Sequence, residues 1–136
     1  RKEIWIDCFC QSKNLEKYGI DNFYFATRKV STSQWYADKK SSLFSCCSLR
    51  SCITEFAAQW LELDFPIMCW GDDFIRENGK WELKVGSNTQ KDPYKIRKNS
   101  YRVQFSRGRE GMFIFVPDEA KMNETYEFLK KYLGKN

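Results

Sequence analysis

Twice along this chain the spacing of apolar residues changes from the alternation of a strand to the three-and-four spacing of a helix, and this repeated change restricts the fold more than any other feature. In the first cycle, residues 4–10 alternate Ile4, Ile6 and Cys8 against Trp5, Asp7 and Phe9, and residues 23–30 are rich in aromatic and β-branched side chains. Residues 33–38 and 42–47 read as shorter strands separated by Lys39, Lys40 and Ser41. From Ser48 the period lengthens. Leu49, Cys52, Ile53, Phe56, Trp60 and Leu63 fall on one helical face, so a helix over 48–63 is predicted, capped by Ser48 and stopped before Pro66.

The second cycle repeats the order. Residues 67–77 and 80–85 read as strands joined at Asn78-Gly79, the dipeptide that best tolerates the positive φ angles of a tight hairpin turn. A polar, basic loop over 86–100 is expected next, then strands over 101–106 and 112–116 around a turn at 107–111. The end reads as a helix with Asp118 as N-cap, Gly134 as C-cap, and Met122, Tyr126, Leu129 and Leu133 on one face. Residues 55–61 (Glu-Phe-Ala-Ala-Gln-Trp-Leu) match 127–133 (Glu-Phe-Leu-Lys-Lys-Tyr-Leu) in register, which supports an internal repeat. The expected fold is therefore α+β: two ββββα-type repeats, about 1–65 and 66–136, each with an antiparallel sheet and one helix, packed as a single domain.

Composition supports a folded chain. Of 136 residues, 42% are hydrophobic and 17% aromatic, enough to supply a core, and there is no low-complexity tract. The longest apolar stretch, 56–70, is interrupted by Glu62 and Asp64 and is too short and charged to span a bilayer. The chain starts at Arg1 with no charged-then-apolar leader, which fits a processed product or an excised domain. The six cysteines, Cys8, Cys10, Cys46, Cys47, Cys52 and Cys69, are expected to be reduced and mostly buried. An intracellular location, nuclear or cytoplasmic, is favoured over secretion.

The chemistry argues against an enzyme. There is no histidine, which removes the commonest general base and most zinc arrangements. The cysteines lack the paired Cys-x2-Cys spacing of structural zinc, and no Gly-rich phosphate loop is present, so neither metal nor cofactor is expected. Net charge is +5, and between 91 and 109 seven basic residues face the single acid Asp92. Aromatic residues are interleaved with these and other cations. Such a composition suits stacking on bases while pairing with phosphates. With Val103 and Phe105 facing the core of a strand, Arg102, Gln104 and Ser106 would form an outward polar row; Tyr24 and Arg28 would share another face. The candidate nucleic-acid-binding residues are Tyr24, Arg28, Trp35, Tyr36, Lys95, Arg97, Lys98, Tyr101, Arg102, Gln104, Arg107 and Arg109.

The run Tyr101-Arg102-Val103-Gln104-Phe105-Ser106-Arg107-Gly108-Arg109-Glu110-Gly111-Met112-Phe113-Ile114-Phe115-Val116-Pro117, followed by the last helix, resembles the strand-turn-strand-proline-helix half repeat of the PUR-repeat proteins and their Whirly and mitochondrial guide-RNA-binding relatives. That resemblance implies a sheet surface binding single-stranded DNA or RNA, with repeats associating into pairs. The first half departs from the pattern at Cys46-Cys47 and in its sparser basic residues.

Three functions thus compete. The first is a non-enzymatic binder of single-stranded DNA or RNA, with no membrane role. The second is a protein-interaction module or homodimer, in which Ala57-Ala58 beside Trp60 would make a close-packed contact. The third, a secreted disulfide-stabilised effector, rests on the even cysteine count alone.

Overall fold

A computed structural model of the chain describes residues 4–8, 17–19, 30–84 and 91–134, the first of these segments by its backbone. The expected α+β class is found. The strands are β1 (Ile4–Cys8), β2 (Phe65–Cys69), β3 (Phe74–Glu77), β4 (Lys80–Leu83) and β5 (Phe113–Phe115). The helices are α1 (Thr32–Ala37), α2 (Glu55–Ala58), α3 (Pro93–Phe105) and α4 (Asn123–Leu133), with 3-10 turns at Cys46–Ser48 and Ala120–Met122.

The pairing departs from two antiparallel repeats. β1, β2 and β5 form a parallel sheet with β2 in the middle, Ile6 opposite Ile67 and Ile67 opposite Phe113. β3 and β4 form a separate antiparallel hairpin. A parallel pair needs a crossover connection of a dozen or more residues. Here α1 and α2 lie between β1 and β2, and the hairpin and α3 lie between β2 and β5. A central parallel strand is covered on both faces and reads as a continuous apolar run, which is the character of Phe65-Pro66-Ile67-Met68-Cys69.

Several expected elements change type. Of the expected strand over 33–38, residues 33–37 are helical and Asp38 is the C-cap, because Ser31 caps α1 by accepting from the Gln34 N–H. The expected strand over 42–47 is turns ending in a 3-10 turn capped by Ser45. The helix expected over 48–63 contracts to the single turn of α2, since Leu49 sits in the left-handed region at φ 56° and Thr54 starts the helix afresh. Residues 101–106 belong to α3 and its cap, leaving β5 alone. The 101–117 run therefore does not make the strand-turn-strand of a PUR half repeat. The repeat between 55–61 and 127–133 likewise dissolves: the first is one turn and a loop, the second most of α4. Residues 23–29 lie outside the described residues.

Two elements match expectation closely. The β3–β4 hairpin turns at Asn78 (φ 51°) and Gly79 (φ 76°), the two positive φ angles that Asn-Gly suits. The final helix also forms, though it starts at Asn123 rather than after Asp118. Its inward residues are Met122, Thr125 and Leu129, while Tyr126 and Leu133 are exposed. The face is rotated because α4 docks on the hairpin by polar contacts: Thr125 Oγ1 accepts from the Arg76 N–H at 2.8 Å, and Glu124 Oε1 accepts from the Gly79 N–H at 2.8 Å.

The core has two clusters. One gathers Trp35, Cys46, Ile53, Ala58 and Leu63, and the other Cys52, Met68, Cys69, Trp70, Phe74, Ile75, Tyr101, Met122 and Leu129. The burial expected of Cys46, Cys52 and Cys69 is found, and burial pushes the Cys46 thiol up to about 12, so it is a packing residue rather than a nucleophile. Ala58 is fully buried within the first cluster, so the close-packed surface expected of Ala57-Ala58 is spent inside this chain. Among the described residues no helix is long and apolar enough to cross a membrane.

The loop after α3 crosses against the segment before β2. The Leu63 N–H donates to Arg107 C=O at 3.0 Å and the Arg109 N–H donates to Leu63 C=O at 2.7 Å. Gly108 allows this tight path: a Cβ there would lie 2.3 Å from the Gly111 carbonyl oxygen. At the hairpin the constraint is conformational, since a Cβ on Gly79 meets no atom within 4 Å but would have to tolerate φ 76°. Gly79→Ala should therefore lower stability by about 1 kcal/mol in urea denaturation. Asn78→Gly should be close to neutral in the same measurement.

Candidate nucleic-acid interface

Most of the expected binding residues fall on or beside α3, and helical rather than strand geometry sorts them. Asp92 caps the helix from the left-handed region at φ 58°, its carboxylate accepting from the Lys95 N–H at 3.1 Å, and Pro93 occupies the first turn where its missing donor costs nothing. Tyr94, Arg97, Tyr101, Gln104 and Phe105 then recur at helical spacing on the inner side. Lys95, Lys98 and Arg102 recur at spacings of three and four on the outer side, where all three are exposed. The Asp92-Pro93 start and the 95, 98, 102 spacing were visible in the sequence. They were masked by the local alternation of 101–106.

The inner side is a polar network under an aromatic cluster. The Tyr101 ring stacks on Trp70 at 4.1 Å between centroids, and its hydroxyl donates to Asp73 Oδ1 at 3.1 Å. Arg97 lies between two carboxylates: its Nε is 2.9 Å from Asp73 Oδ2, an ion pair not aligned as a hydrogen bond, and its Nη1 donates to Glu55 Oε2 at 3.1 Å. Ser100 also donates to Glu55, and Gln104 Nε2 donates to the Glu55 carbonyl at 3.2 Å. These contacts hold α2 against α3. Burial holds the Asp73 carboxyl above the usual carboxylate range, against the downward pull of Arg97 and of the Tyr101 hydroxyl.

Hence Arg97, Tyr101 and Gln104, expected at a surface, are structural. A helix presents residues 97, 101 and 104 to one side, whereas the strand reading had turned Gln104 outward with Arg102. Trp35 is also corrected: it is fully buried in α1, its indole N–H donating to Ser51 C=O at 3.2 Å. Tyr36 beside it is exposed. Arg107 is partly buried and its Nε has no hydrogen-bond partner among the described residues. Arg109 is exposed, with Asp64 4.0 Å away. Tyr24 and Arg28 lie outside the described residues.

The outer side of α3 therefore carries Lys95, Lys98 and Arg102 along about 10 Å of helix. The helix contains no Asp or Glu, and among the described residues none of the three cations is ion-paired. Two further exposed side chains went unseen from the sequence. Phe56 and Trp60, expected on a buried helix face, are 66% and 88% exposed. The helical spacing that suggested burial ends with α2 at Ala58, and burial there falls to Ala58, Ile53 and Leu63. Among the described residues no group of His, Cys, Asp and Glu is placed to hold a metal ion.

The family model described as Schlafen group 3, DNA/RNA helicase domain, matches residues 8–118. No curated protein and no solved structure gives a significant match.

The buried network gives two expected outcomes. Asp73→Ala, which strips a charge partner from Arg97 and an acceptor from the Tyr101 hydroxyl, should cost about 2 kcal/mol in chemical denaturation. A carboxyl whose folded pKa is raised contributes stability that is fully present below its unfolded pKa and is lost as pH rises through the folded value. Asp73→Asn should accordingly flatten the fall in stability just above the ordinary carboxylate range, measured as urea midpoints across that window.

Proposed function

The chain belongs to the Schlafen group 3 DNA/RNA helicase-domain family, and from that premise we propose that it holds single-stranded DNA or RNA through the outer face of α3 without catalysing a reaction itself. The observation that carries this reading is the stripe of Lys95, Lys98 and Arg102, exposed and, among the described residues, free of ion pairs on a helix with no acid. Cations already paired with carboxylates gain little from a phosphate. Unpaired ones release the counterions condensed on a nucleic-acid strand, and that release dominates affinity.

The proposed division of labour follows burial. Arg97, Tyr101 and Gln104 anchor α3, and Lys95, Lys98 and Arg102 contact phosphates. The family's description names a helicase, but the 136 residues contain no Gly-rich phosphate cradle, so this stretch is assigned to contacting the strand rather than to nucleotide hydrolysis.

Fluorescence anisotropy with a labelled mixed-sequence single strand, as DNA and as RNA, with duplex as control, tests this. Combining Lys95→Glu, Lys98→Glu and Arg102→Glu should abolish binding and leave circular dichroism and the thermal midpoint nearly unchanged. In singly neutralised variants the slope of log K against log salt should fall by roughly 0.7 per lost contact. A folded triple variant that binds as tightly as the parent would overturn the assignment.

A further inference from the structure

We infer that Asn78-Gly79 is a self-modifying site, where the asparagine amide is lost to leave an aspartyl or isoaspartyl residue, and that Glu124 of α4 sets the rate. The features that make this dipeptide a hairpin turn also open it to the reaction. Both residues are in solvent, and among the described residues the Asn78 carboxamide has no hydrogen-bond partner to hold it away from the backbone. Gly79 has no side chain to hinder attack on its neighbour, and no atom lies within 4 Å of where its Cβ would be.

Water is the only co-reactant. The Gly79 backbone nitrogen gives up its proton and attacks Asn78 Cγ; the N–Cγ bond forms, the Cγ–Nδ2 bond breaks, and the amide nitrogen leaves as ammonia with that proton. A cyclic imide remains. Water then adds to either ring carbonyl: one opening restores the ordinary chain with Asp at 78, and the other routes the chain through the side-chain carbonyl as isoaspartate. Both outcomes start from the Gly79 N–H. In the fold this group donates to Glu124 Oε1 at 2.8 Å, and the same oxygen lies 3.3 Å from Arg76 Nε. A backbone nitrogen bonded to a carboxylate resists attack twice over, because the hydrogen bond must first break and because an amide anion beside a carboxylate is disfavoured by like charge. The docked α4 therefore protects the turn.

Conversion acts back on that docking. Two hydrogen bonds hold α4 to the hairpin, Gly79 N–H to Glu124 and Arg76 N–H to Thr125 Oγ1. The imide has no N–H at 79, so the first is lost as the ring closes. Either product then places a new carboxylate between Glu77 and the glycine that meets Glu124. Asp-Gly still suits the tight turn, whereas isoaspartate lengthens the backbone within it and shifts the register of the two strands. The reaction thus weakens the contact that slowed it.

The test incubates the whole chain at neutral pH and follows the peptide carrying Asn78 by mass spectrometry, which resolves the amide-to-acid change and the isoaspartyl isomer. Parent, Glu124→Ala, Glu124→Gln and Thr125→Val are compared, with urea-unfolded parent as the unprotected limit and circular dichroism as the folding control. The folded parent should convert roughly ten-fold more slowly than the unfolded chain, as expected of a hydrogen bond to a charged acceptor, and Glu124→Ala should recover most of that difference. Glu124→Gln, which keeps an acceptor without the charge, should fall between. Thr125→Val removes the other docking bond and should stay near the parent rate. Equal rates in the parent and a folded Glu124→Ala overturn the proposal. So does a Thr125→Val rate matching Glu124→Ala, which would assign the protection to docking in general, and so does a slower Glu124→Ala, which would make the carboxylate the base that removes the Gly79 proton. Converted parent, separated from unconverted, should show a lower urea midpoint; an equal midpoint overturns the effect on α4.

Discussion

The Trp70–Tyr101 stack, with the Tyr101 hydroxyl on Asp73, is the contact on which the other elements depend. Trp70 follows the central strand β2, and its N–H donates to Phe115 C=O at 2.8 Å on the neighbouring strand. Its indole N–H donates to Phe74 C=O at 2.7 Å, fixing the entry to the hairpin. Phe74 and Trp81 stack across that hairpin at 5.2 Å, and Trp81 meets Phe128 of α4 edge-on. One aromatic series therefore joins the parallel sheet, the hairpin, α3 and α4. Rings suit this task because each buries a large area with few rotatable bonds, and their polar atoms reach partners at the margin of the core.

Polar contacts give this apolar series its orientation. Dispersion alone would allow α3 to slide or rotate over Trp70. Arg97, placed between Asp73 and Glu55, favours one rotation and one register, because its guanidinium reaches both carboxylates only from that side of α3. That rotation settles which residues of α3 face outward. The exposed cations and the buried network are two sides of one constraint.

The parts read well from sequence were those governed by neighbours in the chain. Asn78-Gly79 defined its turn because positive φ at two successive positions is a local property of those residues. The α+β class followed from alternating periods, and β1, β5 and the final helix from short apolar patterns. The basic stretch 91–109 was visible as composition, and Lys95, Lys98, Arg102 and Arg109 are indeed at the surface. The same stretch misled as a strand because Tyr101, Val103 and Phe105 alternate, although only Tyr101 is fully buried among them and Val103 is exposed.

By itself, then, the sequence determined the hairpin turn, the α+β class, the presence of a final helix, the lack of histidine and the basic character of one region. Tertiary structure alone decided that the sheet is parallel, that Tyr101 and Gln104 are buried with Arg97 tied to carboxylates beside them, and that Phe56 and Trp60 are external. The reason is physical. A spacing of three or four specifies a helical face but not which face is covered, and an apolar run specifies a strand but not its partner. Both choices are made by residues distant in sequence, such as Glu55 meeting Arg97 and β1 meeting β2.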